Sequence, residues 1–188
     1  MRTPQDITVD RALLLYLLHL AESQECEMVS DVKLQQLVFL SELQMFGKGW
    51  KGFHFEFMRY AYGAFSKDLD NDLLALRRKE RLENFSVAER AGEALKMLEK
   101  TVEGVEANEQ VVEIIRSVVG VYAPQDLGEI TNSVEKVEIS PADKPEQKLS
   151  IREISFHSIL LVPSRITVTN EFTIPATILA RLNAAMGF

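Results

Sequence analysis

Asp68, Asp70 and Asp72 follow one another with the D-x-D-x-D spacing that opens a calcium-binding loop. Such a loop needs glycine at its sixth position for a sharp turn and a bidentate glutamate at its twelfth. Leu73 and Lys79 stand there instead. The three acids therefore read as the solvated face of a helix, and no calcium site is expected. His19, His54 and His157 lie far apart, and none has another histidine three or four residues away. Zinc ligands usually come in such pairs, so each reads as a structural or surface histidine. The single cysteine, Cys26, cannot form an internal disulfide and reads as a small residue near a helix end rather than a nucleophile. There is no G-x-S-x-G elbow, no phosphate-cradling loop and no dinucleotide fingerprint. The expectation is a protein without catalytic residues, metal or organic cofactor.

Arg77, Arg78, Lys79 and Arg81 form the one basic patch. They could touch phosphates or an acidic partner, or they could simply occupy a helix C-terminus, where the helix dipole favours cations. The net charge of −7 favours the second reading. Nucleic-acid affinity comes largely from neutralised phosphates, so an acidic chain is disfavoured as a DNA binder and better suited to a basic protein partner.

These residues must be held by a core, and 188 residues at 46% hydrophobic content can build one. The apolar run ALLLYLLHLA at 12 to 21 is too short to span a bilayer and lacks the basic leader of a signal peptide. A cytoplasmic protein with no membrane partner is expected, and nothing in the sequence assigns an oligomeric state. Residues 8 to 22 read as a helix apolar on most faces, and 31 to 46 as a second helix capped by Ser30. Phe53, Phe55 and Phe57 alternate with His54, Glu56 and Met58, the period of a half-buried strand over 52 to 60. Gly63 supplies a turn, and Ser66 caps a helix running to about Lys79 with Leu69, Leu73 and Leu76 inward. Ser86-Val87-Ala88-Glu89 matches a capping box before a helix that Gly104 closes. Helices follow over 109 to 119 and near 124 to 132, then a charged, proline-bearing loop at 138 to 148. ISFHSILLV and RITVT read as strands, and Ile174-Pro175 starts a last helix. The fold class is mainly α with a few short strands: a helical domain over 1–135 and a small α/β appendage over 136–188 packed on it.

Two segments carry a family resemblance. VKLQQLVFLSEL, at 32 to 43, resembles the K-L-Q-K-L-x-Y/F-L segment of the Panacea-domain proteins, the SocA-like antitoxins. FEFMRYAYGAFSKDLDNDL, at 55 to 73, resembles that family's F-x-x-x-x-Y-G-P-x-S segment and the helix after it. The chain departs in having Gln36 for the second lysine and Ala64 for the proline. The resemblance covers about residues 10 to 135. It implies a compact helical domain that neutralises a cognate toxin by direct binding, or presents a partner to a protease. By carry-over Lys33, Leu34, Gln35 and Leu37 belong to the first motif, and Tyr62, Gly63, Phe65, Ser66 and Leu69 to the second. Helical spacing already accounts for the leucines as core, which leaves Tyr62, Phe65 and Ser66 as candidate partner contacts. The order helix, helix, strand-turn-helix and then FSVAERAGEALKML also resembles a winged-helix module. The alternative function is thus a DNA-binding transcriptional regulator, with the basic patch as its support.

Overall fold

The computed structural model describes residues 2–141 and 143–188. The chain runs α1 (Pro4–Ser23), α2 (Asp31–Gly47), β1 (Trp50–Lys51), β2 (Phe57–Tyr60), β3 (Gly63–Phe65) and α3 (Lys67–Arg78). It continues through β4 (Leu82–Glu83), β5 (Ser86–Val87), α4 (Gly92–Val102), α5 (Glu106–Tyr122) and α6 (Leu127–Glu135). The last elements are β6 (Glu138–Ile139), β7 (Leu149–Ser150), β8 (Ile159–Leu161), β9 (Asn170–Glu171) and α7 (Ala176–Ala185). The fold is mainly α with short strands.

Helix α1 opens with a capping box, Thr3 Oγ1 accepting from Asp6 N while Asp6 Oδ2 accepts from Thr3 N, and has Pro4 in its first turn. Leu13, Leu14, Leu15, Leu17 and Leu18 point in several directions and all are buried, because α3, α4, α5 and α7 surround the helix. Burying one such side chain stabilises by about 1.5–3 kcal/mol, so α1 is the axis of the core. Helix α5 packs against both α1 and α2, and α6 closes over α2 and β3.

The strand expected over 52 to 60 is present only as β2. Residues 53 to 56 join no strand ladder; Phe53, Phe55 and Phe57 are buried, and His54 is buried too. The phenylalanines point inward and Glu56 is exposed, so the alternation marked the buried side without marking a sheet. Strand β2 is central in an antiparallel sheet of order β3-β2-β8, with Arg59 opposite Ala64 and Phe57 opposite Leu161. Strand β1 pairs in parallel with β9, Lys51 opposite Glu171.

Three further local expectations are corrected. The capping box at Ser86 to Glu89 does not form: Ser86 and Val87 are β5, paired with β4, and α4 starts only at Gly92, after a 3₁₀ turn over Glu89–Ala91. Pairing with Leu82 and Glu83 takes the backbone that the cap would have used. Of ISFHSILLV only Ile159–Leu161 is a strand, and RITVT is not one; pairing starts only after it, at Asn170. Pro175 is the cap residue before α7 rather than its first turn. The segment beyond residue 135 supplies β8 to β2 and β9 to β1, and it buries Ile151, Phe172, Ile174, Leu182 and Met186.

Candidate functional site

Two places in this fold assemble groups that could act on something else. The first lies at the N-terminal end of α1. Asp10 sits one helical turn after Asp6 and is fully buried. Its Oδ1 accepts from the His54 backbone N–H and lies 2.9 Å from His54 Nδ1; its Oδ2 accepts from Arg2 Nη1 at 2.9 Å. On the other side of the ring, His54 Nε2 is 2.8 Å from Glu171 Oε1 and 3.8 Å from Asp6 Oδ1. Burial raises the Asp10 carboxyl against the downward pull of His54 and Arg2. Burial alone would lower the imidazole, but Asp10, Glu171 and Asp6 together raise it above its ordinary value. Beside the ring lies a cavity of about 130 Å³, lined in part by Arg2, Lys51, Asp68 and Ser164.

The cluster extends inward. Asp72 accepts from Arg2 Nη1 at 2.6 Å and from Arg11 Nε at 2.8 Å, and only about 3% of its side chain is exposed. The reading of Asp68, Asp70 and Asp72 as one solvated face is therefore corrected: Asp72 faces the interior because two arginines of the N-terminal segment meet it there. Asp70 pairs with exposed Lys67, and Asp68 lies 3.4 Å from Arg2. Glu42 is fully buried; its Oε1 accepts from Phe55 N and its Oε2 has no partner. Burial first, and the Asp10 charge second, raise its carboxyl well above the ordinary glutamate range.

None of Arg2, Asp6, Asp10, Glu42 or Glu171 was singled out by spacing. Histidine spacing carries no trace of this site, because the partners of His54 are carboxylates 44 and 117 residues away. One signal was available: an aspartate at i and i+4 leading into an unbroken leucine helix is a charge entering a core, and a buried charge must be paired.

The second place is the corner between β2 and α3. Gly63 has φ +101°, as the turn required, and Gln36 Oε1 would lie 2.4 Å from a Cβ added there. The closeness has a cause. Gln36 accepts from Ala64 N and donates to Ala64 O, both at 3.0 Å; Gln35 does the same with Ser66, at 2.8 and 3.0 Å. Two consecutive helix amides thus pair with the free edge of β3 as a strand would, satisfying buried backbone groups. That is the work of the Q-Q pair in the first motif.

Of the three candidate contacts, Tyr62 is 60% exposed, Phe65 is half-buried against Tyr60, and Ser66 is fully buried. The Ser66 hydroxyl accepts from Leu69 N to cap α3. Tyr60, Tyr62, Phe65, Ala64 and Val32 line a largely apolar groove of about 220 Å³, with Asp31 and Asp70 at its rim. Arg59, under Phe156, locks the corner from behind by donating to Glu135 at 2.9 Å and to the Ile151 carbonyl.

The basic patch is divided. Arg77 pairs with Asp31 at 2.7 Å and lies over Phe85. Arg81 donates to the carbonyls of Ala185 and Lys79. Lys79 lies 5.6 Å from the Phe188 ring, and Arg78 is exposed. The chain matches no protein-family model, and no curated protein or solved structure is similar enough to match it.

Proposed function

We propose that this chain is a protein-interaction module, an antitoxin that neutralises a cognate toxin by direct binding or presents it to a protease. The observation that supports this reading is the apolar groove beside exposed Tyr62 and Tyr60, on a corner held rigid by Gln35, Gln36 and Arg59. Exposed aromatics on a fixed scaffold lose little entropy on docking and serve as anchor points. The overall charge of −7 suits a partner segment with an apolar anchor flanked by basic side chains. The test is co-expression with the product of the adjacent reading frame, followed by pull-down and growth rescue. Tyr62→Ala should abolish capture and rescue while leaving the melting curve within about 0.5 kcal/mol of the parent, as substitutions at exposed positions do. Capture undiminished by Tyr62→Ala would overturn the assignment of this corner.

The alternative, a winged-helix DNA-binding regulator, draws on the β4–β5 hairpin that follows α3, where a wing would stand. Against it are the acidic balance and the inward engagement of Arg77 and Arg81. A salt-dependent mobility shift of the upstream DNA would favour the regulator.

A further inference from the structure

The imidazole of His54 is held in a way that a hydrogen-bonded core histidine does not require. We propose that Asp6, His54 and Glu171 bind a divalent cation of the zinc class, with Asp10 as the carboxylate that positions the histidine. This is independent of the antitoxin reading and concerns a different face of the molecule.

The ligand-capable atoms are His54 Nε2, one Asp6 oxygen and one Glu171 oxygen, and all lie within 4.8 Å of one another. Two of the separations are 2.8 and 3.8 Å. A tetrahedral zinc ion with bonds of about 2.0–2.1 Å places neighbouring ligands about 3.3 Å apart, between the two separations, so side-chain adjustments of about half an ångström bring His54 to that spacing from each carboxylate. One nitrogen and two carboxylate oxygens match the borderline character of zinc, and three protein ligands leave a fourth position toward the cavity of about 130 Å³.

The shell behind these ligands fits as well. Asp10, 2.9 Å from Nδ1, can accept from Nδ1–H, and an incoming cation would displace the proton that Nε2 shares with Glu171 and take its lone pair. A buried carboxylate behind a ligating histidine is the usual outer-shell partner, and it raises ligand basicity. Oδ1 also accepts from the His54 backbone N–H, so ring and backbone are fixed by one oxygen, and Arg2 holds the other. The three ligands come from the first turn of α1, the threaded segment before β2, and β9. A bound cation would therefore fasten the C-terminal segment to the N-terminal helix. Around the ring, Asp6, Asp10, Glu56, Asp68 and Glu171 outnumber Arg2 and Lys51, and a divalent cation would restore the balance.

The full chain, stripped with chelator and dialysed, is titrated with zinc(II) by calorimetry and with cobalt(II) by visible absorption. The expected result is one cation per chain, with the intense bands of four-coordinate cobalt. Affinity should fall at least tenfold in Glu171→Gln and in Asp6→Asn, whose side chains are part-exposed and can be changed without emptying the core. Asp10→Asn should weaken binding about 10–100-fold, as loss of an outer-shell partner does. Should that variant fail to fold, the two ligand variants still decide. His19→Gln and His157→Gln should change nothing. Absence of stoichiometric binding by the folded chain would overturn the proposal. So would binding that survives Glu171→Gln and Asp6→Asn, or that is lost with His19 or His157 instead.

Discussion

Gly63 shows how one missing Cβ supports two interactions. At φ +101° any side chain is strained, and here a methyl group would also push Gln36 away from Ala64. Gly63→Ala should therefore cost more than the roughly 1 kcal/mol typical of a positive-φ site, because buried backbone groups of Ala64 lose their partner as well. Thermal or urea unfolding measures it. Glu42 is the corresponding electrostatic case. Its folded-state pKa lies above its unfolded value, owing to burial and then to Asp10, against weaker opposing pulls from Phe55 N, Arg2 and Lys51. Below the ordinary glutamate range both states hold the proton and pH has no effect through this group. As pH rises from there toward the folded-state value, the unfolded chain loses its proton first, so stability falls. Glu42→Gln keeps an acceptor for Phe55 N and should flatten that decline between mildly acidic and neutral pH. An unchanged slope of unfolding free energy against pH would refute the assignment.

Among the elements, α3, like α2 with Ser30, starts at a single capping hydroxyl. Ser66 has extended backbone angles and caps Leu69 N, while Gln35 holds its N–H and carbonyl. Ser66→Ala should cost about 1 kcal/mol through the lost cap and leave the path of β3 intact, since Gln35 binds backbone only. A far larger loss in denaturant unfolding would mean that the hydroxyl holds the corner rather than the helix. The leucines of α3 and α4 and the valines and isoleucines of α5 were visible in sequence because an amphipathic helix declares its buried stripe by spacing. The two-residue strands β1, β4, β5, β6, β7 and β9 were not, because a strand that short has no period to read. Whether Ser86 caps a helix or pairs in a hairpin depends on which partner arrives.

For the molecule as a whole, the C-terminal segment works as a strap. It adds β8 beside β2 and β9 beside β1, then sends α7 back against α1 and α4. Residues 143 to 148, between β6 and β7 and ahead of these elements, are exposed. Limited proteolysis should nick there, and the two fragments should co-elute under native conditions and separate only in denaturant. Fragments that part without denaturant would show that the strap contributes little to the core. No helix among the described residues is long and apolar enough to cross a membrane.

The mainly α character, the order of the long helices, the leucine core and the turn at Gly63 were all legible in the chain, since each rests on spacing within a few residues. So was the aromatic corner, as a motif, though burial then separated Ser66 from Tyr62. The fate of Asp72, the pairing of Gln35 and Gln36 with β3, and the gathering of Asp6, Asp10, His54 and Glu171 were decided by tertiary structure. Those contacts join residues roughly 30 to 165 positions apart, and local periodicity carries no information over such distances. What a sequence does record is the imbalance such contacts must relieve: a buried aspartate in a leucine helix states that a partner exists, and only the folded chain states which one.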